Sequence, residues 1–380
     1  MKFTYDRSRV AEAAALREDW YAGRPVERVP FTFSVPCEGS RAWNGNPATM
    51  REMCENPDKA VLGQLSAMRH QFDTFPDCDY LPLFQVYHLG EGILASMYGA
   101  EQQIEDDVPP FTRGRYMRSI DDIARLPDRP DTEGSEWGRI LRVQIERFLD
   151  ATDGDIPVGV ADFQSPYGTA TKLMPNEALM LAMYDEPEAV HRLLGIITTG
   201  ICDLIDAMRR WSGGRLALNA NNPTPGSGLI LWDDYVSVIT PALHTEFCAP
   251  VNRYLYQRFG RGHLHTCGPY FPGYIDACLA CEPKSLDATI MRGMAKTWAD
   301  LKEFRRITRE RGILLFGSIE GQADRSIFDA SKARPTREMY REFMDGGFFM
   351  SAGGTKEQGE EFAALCRALS AELLAEGKRI

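Results

Sequence analysis

The sequence predicts an α/β chain closed into a (β/α)8 (TIM) barrel, with an N-terminal helical extension and an insertion between strands 2 and 3. Three observations carry that expectation: eight short β-prone runs, amphipathic helical stretches between them, and no glycine-rich dinucleotide-type turn after the first run. Strands that alternate with helices imply parallel pairing, and eight of them favour closure over an open, doubly wound sheet. At 380 residues, 44% hydrophobic and 26% charged, the composition is that of a globular chain. One domain spanning 1–380 is expected, with 1–28 as the helical extension.

The β-prone runs are VPFTFSV (29–35), YLPLFQV (80–86), IPVGVAD (156–162), RLALN (215–219), GHLHT (262–266), SLDAT (285–289), ILLFGS (313–318) and GFFMSA (347–352). A first helix over about 7–21 precedes them. The excursion YGAEQQIEDDVPPFTRGRYMRS (98–119) is the insertion. In YDEPEAVHRLLGIITTGICDLIDAMRRW, Asp185 is placed to cap and Pro187 suits a first turn. Val190, Leu193, Leu194, Ile197, Ile201, Leu204, Ile205 and Met208 then form one apolar stripe. DLKEFRRITRERG ends in cations and Gly312, while TKEQGEEFAALCRALSAELLAEG opens with Thr355 and Gln358 at capping-box spacing and closes at Gly377.

A formal net charge of −11 excludes the basic surface that nucleic acid or an anionic membrane requires. The N-terminus carries charges throughout, with no signal-peptide core and no apolar run long enough to span a bilayer, so a cytoplasmic protein is expected. Nine irregularly spaced cysteines fit free thiols better than a disulfide framework. Cys202, Cys248 and Cys366 lie in apolar helical patterns and read as core.

In a barrel, reactive groups belong at the C-terminal ends of strands and in the loops after them. Cys37 and Glu38 fall there after strand 1, His88 after strand 2, and Asp162, Gln164 and Tyr167 after strand 3. Asn219, Asn221 and Asn222 follow strand 4, His265 and Cys267 end strand 5, and Glu320 and Gln322 follow strand 7. In RGHLHTCGPYF, period two puts His263, His265 and Cys267 on one face, with His263 about 7 Å deeper. His263 alone reads as a hydrogen-bonded core histidine, and His191 and His244 as helix-surface or packing residues. NNPTPGSG is expected to form a loop over the barrel mouth. Asp233 and Asp234 follow it; they serve either as helix caps or as a repelling carboxylate pair, one of which is pushed toward the general-acid range.

The segments VERVPF, YGAEQQIEDDVPPF, ALMLAMYDEPEAVHRLL, LWDDYVSVITPALHTEFCAPVNRYL, HLHTCGPY, ILLFGSIEG and DGGFFMSAGG resemble, in this order, the uroporphyrinogen decarboxylase superfamily, and in particular its corrinoid-dependent methyltransferase branch. The resemblance covers nearly the whole chain and implies a (β/α)8 barrel. It also implies a zinc site: H-x-C after strand 5, matched by His265 and Cys267, and a second cysteine in an S-P-G-C turn after strand 8. Here SAGG aligns with that turn, and Gly354 replaces the cysteine. Two protein ligands are one short of the usual catalytic minimum. Glu320, Cys37 and His263 are the candidates for the third. Cys278 and Cys281 form a C-x-x-C on the following helix, about 10 Å from its start for Cys278, and read as buried thiols.

The decarboxylases themselves carry an R-Q-A-G-R-Y stretch after strand 1 that grips substrate carboxylates. The corresponding PCEGSRAWNG has Arg41 as its only cation, which suits a porphyrinogen with eight carboxylates poorly. The resemblance therefore implies a methyltransferase moving a methyl group between a small methylated substrate or thiol and a corrinoid on a partner protein, with zinc assistance. Asp234 is the favoured substrate-contacting or proton-transferring group, beside Glu320, Asp162, His88 and Tyr167. Decarboxylation and a non-catalytic tetrapyrrole- or corrinoid-binding barrel are the alternatives. The partners admitted are a small-molecule substrate, a corrinoid protein and a second copy of the chain as a homodimer.

Overall fold

The computed structural model describes residues 3–36, 48–266, 273–287, 298–317 and 337–380. Helix α1 (Arg7–Ala22) starts where the Asp6 side chain accepts from Arg9 N and stops at Gly23, whose φ of 75° is open to glycine at little cost. Strand β1 (Phe31–Ser34), α2 (Met50–Glu55), α3 (Pro57–Thr74) and the short α4 (Ile93–Met97) follow. The insertion then holds β2 (Gln102–Gln103) and β3 (Phe111–Thr112), an antiparallel pair. Next come α5 (Glu136–Thr152), β4 (Val158–Gly159), α6 (Pro166–Leu173), α7 (Asn176–Asp185), α8 (Pro187–Trp211), β5 (Leu216–Ala217) and β6 (Ile230–Trp232). The remainder is α9 (Pro241–Leu243), α10 (Ala249–Phe259), β7 (His263–His265), α11 (Tyr274–Ala280), β8 (Ser285–Asp287), α12 (Trp298–Glu310), β9 (Leu314–Gly317), α13 (Arg337–Met344), β10 (Phe348–Gly353) and α14 (Lys356–Ala375).

The result is an α/β fold on a central parallel sheet. Six strands lie in the order β1, β10, β9, β8, β7, β6, and β4 pairs with β5, all in parallel. Backbone bonds continue between these groups. Ile230 N donates to Leu218 O (2.9 Å), Phe84 bridges Val158, and Asp79 N donates to Phe31 O (2.9 Å).

The structure amends the expected elements in four places. Run 80–86 contributes one bridge at Phe84 rather than a full strand. β6 was not among the eight expected runs, although Leu229, Ile230 and Leu231 are wholly buried, as in a strand covered on both faces. Asp185 closes α7, and Glu186 occupies the N-cap of α8 without a side-chain bond. NNPTPGSG does not simply arch over the mouth. Thr224 accepts from Arg17 Nε (3.0 Å) and Ser227 O from the Tyr21 hydroxyl (2.8 Å), so the segment lies against α1 at the N-terminal ends of the strands.

A separate apolar cluster of Trp20, Tyr21, Leu314, Phe316 and Phe349 fastens α1 to those strand ends. Trp20 meets Phe316 and Phe349 edge-on, at 5.4 and 6.0 Å between centroids. Burying side chains of this size contributes about 1.5–3 kcal/mol each. Among the described residues, no helix is long and apolar enough to cross a membrane.

Candidate metal and substrate site

Parallel register sets the centre of the site. His263 lies opposite Ser285 and Leu264 opposite Leu286, so Asp287 reaches the end of β8 beside His265. The Asp287 carboxylate joins both histidines: Oδ1 to His263 Nε2 at 2.9 Å, and Oδ2 to His265 Nδ1 at 2.5 Å. Ser285 Oγ is 3.0 Å from His263 Nδ1, and Thr266 N donates to Asp287 Oδ2 (3.1 Å). Burial alone would raise the Asp287 carboxyl, but the charge and hydrogen bonds of His265 and His263 outweigh it and hold the group well below the usual carboxylate range.

His263 and Asp287 line a cavity of about 740 Å³. Phe316, Phe349 and Arg17 also line it, as do Asn221 and, beyond β10, Gly353 and Gly354. The ends of β8 and β10 therefore open on one space, with the start of β7 beside them. A Cβ at Gly354 would stand 2.2 Å from Gln358 Oε1, which accepts from Thr355 N (2.9 Å) in the capping box of α14. The cap occupies the space a cysteine would need there.

Two groups among the described residues offer three donor atoms within 4.8 Å of one another: His263, His265 and Asp287, and Asp233, His244 and Cys281. The first fits a metal, with two imidazoles and an ionised carboxylate beside a cavity. The second does not. Asp233 already accepts from Ser165 Oγ (3.1 Å) and Asn252 Nδ2 (2.8 Å) and contacts His244 Nε2 (2.9 Å), and all four residues are buried. Burial would raise its carboxyl, and these partners instead bring it below the ordinary value. Burial also pushes the Cys281 thiol up strongly, whereas coordination needs the thiolate. This group is a hydrogen-bonded hub. Cys278 is likewise fully buried.

The other expected residues divide. Asp162 and Gln164 follow β4, with Gln164 N and Nε2 donating to Asp162 Oδ1 (3.2 and 3.0 Å). Asp234 heads a tight turn through Ser237 and, with Glu91, is close enough to raise the Asp162 carboxyl. His88 is placed elsewhere: it is wholly buried, its Nε2 is 2.7 Å from Gln144 Oε1, and Gln144 in turn donates to Met53 O. Desolvation pulls its imidazole down to about 4, so it is a neutral packing group between α2 and α5. Tyr167 is also wholly buried, edge-on to Tyr235 at 5.6 Å, and lines no part of the cavity. Cys37, Glu38, Arg41, Cys267, Glu320 and Gln322 lie outside the described residues. Asp287 escaped the sequence reading; its one signal was an acidic residue ending an otherwise apolar strand run.

The profile described as Uroporphyrinogen decarboxylase (URO-D) matches residues 18–320. The chain belongs to the uroporphyrinogen decarboxylase family. Among solved structures, a methyltransferase from Methanosarcina mazei superposes with a TM-score of 0.60 at 14% identity, covering 95% of this chain and 99% of that one. At that identity the likeness is one of fold. A search of curated proteins finds no match.

For a member of this family the cavity is sparing in positive charge. Among its described lining residues Arg17 is the one guanidinium, and each of its nitrogens serves the protein: Nε bonds Thr224, Nη1 bonds Asp79 O (2.8 Å) and Nη2 bonds Asn222 Oδ1.

Proposed function

We propose that this family member is a methyltransferase that moves a methyl group between a small methylated substrate or thiol and a corrinoid presented by a partner protein. The reading includes closure of the parallel strands into a (β/α)8 barrel, a single domain and a cytoplasmic setting. The metal is zinc, held by His265, Cys267 and the Asp287 carboxylate, with His263 keeping that carboxylate oriented. One observation carries the proposal. Asp287 stands 2.5 Å from His265 at the cavity and supplies an oxygen donor where Gly354 leaves the cysteine set incomplete.

Zinc bound here would supply a Lewis acid, lowering a thiol's pKa or polarising an ether oxygen. The protein's own part is orientation. Ser285 and Asp287 fix both ring nitrogens of His263, and its ring packs edge-on to Phe316 at 5.4 Å. Decarboxylation of an eight-carboxylate porphyrinogen is the lesser reading, because the cavity's described guanidinium is fully engaged.

Zinc titration of chelator-treated protein tests the reading. A one-to-one, pH-sensitive binding isotherm is expected, since histidine must be neutral and cysteine ionised to coordinate. Cys267→Ser and Asp287→Asn should abolish it, while His263→Gln should weaken it by about 10–100-fold, as loss of an orienting partner does. Undiminished binding in Cys267→Ser, or none in the parent protein, overturns the assignment.

A further inference from the structure

We infer that Arg261, Lys284 and Arg379 form a second binding site, for a phosphate group, at the N-terminal ends of β7 and β8. It lies at the opposite end of these strands from His265 and Asp287 and does not depend on the methyl-transfer reading.

Backbone pairing gathers the cations. Arg261 precedes β7 and Lys284 precedes β8, and Lys284 N donates to Gly262 O (2.8 Å). The register that brings Asp287 to His265 at one end therefore brings these two side chains together at the other. They line a cavity of about 260 Å³ with Glu18, Tyr21, Pro225 and Gly226. Arg379 stands beside them. A Cβ at Gly23 would lie 2.7 Å from Arg379 Nη2, so the glycine that ends α1 leaves room for the guanidinium, and Gly346 N holds the Arg379 carbonyl at 2.7 Å.

Among the described residues, none of the three cations meets a carboxylate. Arg261 gives Nε and Nη2 to the carbonyls of Glu282 (2.6 Å) and Pro283 (3.0 Å), which braces the guanidinium against the chain. The Lys284 ammonium stands 5.9 Å from the centroid of the Tyr21 ring. Nearby carboxylates are committed elsewhere: Glu18 to Arg24 at 3.3 Å, and Glu282 to Arg253 at 4.0 Å. Burial, and then the charges of Arg379 and Arg261, hold the Lys284 ammonium below its ordinary value. Like charges gathered without a counter-ion cost free energy, and an anion bound among them relieves it.

The donors select the anion. A guanidinium presents a planar fork and an ammonium a compact point charge, and phosphate takes both. A group with two charges and at least three acceptor oxygens can meet all three cations at once, whereas a carboxylate has one charge and two oxygens. Pro225 and Gly226 also line a second cavity, of about 640 Å³, whose walls include Leu216, Leu218 and Phe259. The organic part of a phosphate monoester has apolar space there, while free phosphate needs the smaller cavity alone.

The test is calorimetric titration of the full chain at low salt and about pH 8, where phosphate is a dianion. Inorganic phosphate and adenosine 5′-monophosphate are titrated separately. Expected is one-to-one binding with a Kd below about 1 mM that weakens as sodium chloride is added. Lys284→Met keeps the aliphatic stem without the charge, and Arg379→Gln does the same at an exposed position. Each should weaken phosphate binding by about tenfold or more, with an unchanged circular dichroism spectrum as evidence of folding. Binding of the nucleotide about tenfold tighter than phosphate, with the gain removed by Leu218→Trp, identifies a monoester as the ligand; equal affinities identify free phosphate. Absence of saturable binding by either ligand overturns the site, as does full affinity in both charge variants. A dimer that Lys284→Met dissociates, with no phosphate bound by the parent protein, also overturns it and gives the cations to an acidic patch on a second copy.

Discussion

Three aspartates near the strand ends show how neighbours decide what burial does to a carboxyl. Asp233 and Asp287 each face histidine and are held ionised, whereas Asp162 faces carboxylates and is pushed up. For Asp162 the folded value of about 7 exceeds the unfolded value of about 3.9. The fold therefore disfavours its charged form, and the stability lost on this account grows as pH rises from about 4 and is complete above 7. Three units correspond to about 4 kcal/mol at most. Asp162→Asn removes the penalty and should stabilise the protein by about 2–4 kcal/mol in urea unfolding at pH 8, with the gain shrinking toward pH 4. A gain that does not change with pH would show that Asp162 titrates normally. In the sequence all three residues are aspartates after apolar runs, and Asp234 is favoured over Asp162. What separates them is the partner: His244 and Asn252 lie on a helical stretch 11 and 19 residues beyond Asp233, and no periodicity reports which carboxylate they reach.

Elements were legible where a local cause sets them. The Thr355–Gln358 capping box, the end of α1 before Gly23 and the long stripe of α8 all depend on residues within a turn or two of one another. β6 was hidden because GLILW follows a glycine- and proline-rich run and shows no alternation. Its identity as a strand comes from pairing with β7, where Ile230 lies opposite His263 and Trp232 opposite His265. Asp287 was illegible for the same reason, since only the β7–β8 register brings it to His265. The capping box also bears on the missing ligand. Gly354→Cys places a Cβ on the Gln358 carboxamide, so the variant should lose about 1 kcal/mol as the cap is displaced. It should bind zinc no more tightly than the parent. A tenfold gain in zinc affinity without loss of stability would show that the turn accommodates a cysteine ligand.

At the scale of the whole molecule, α1 and the sheet divide the work of making the site. The described candidate donors His263, His265 and Asp287 belong to β7 and β8, whose spacing is fixed by parallel backbone pairing. The base of the cavity depends on α1 and Arg17. The guanidinium lies 4.7 Å from the centroid of Phe349, which stacks on Phe316, and Phe316 in turn meets the His263 ring. Arg17 also ties α1 to two distant segments, through Thr224 and Asn222 in one and Asp79 O in the other, and Asp79 accepts a paired bond from Arg28 at 2.6 and 2.7 Å. Arg17→Leu would keep much of the volume but remove the charged donor from all three acceptors, leaving Asn222 Oδ1 with only the Thr224 hydroxyl. Hydrogen bonds from a charged donor contribute about 1.5–3 kcal/mol each and do not add fully, so a loss of about 3–5 kcal/mol is expected in urea unfolding. Because strand register rather than α1 sets the donors, zinc affinity at a denaturant-free, stable temperature should change by less than about threefold. If zinc affinity falls in step with stability, α1 holds the metal donors as well as the cavity floor, and the division between helix and sheet fails.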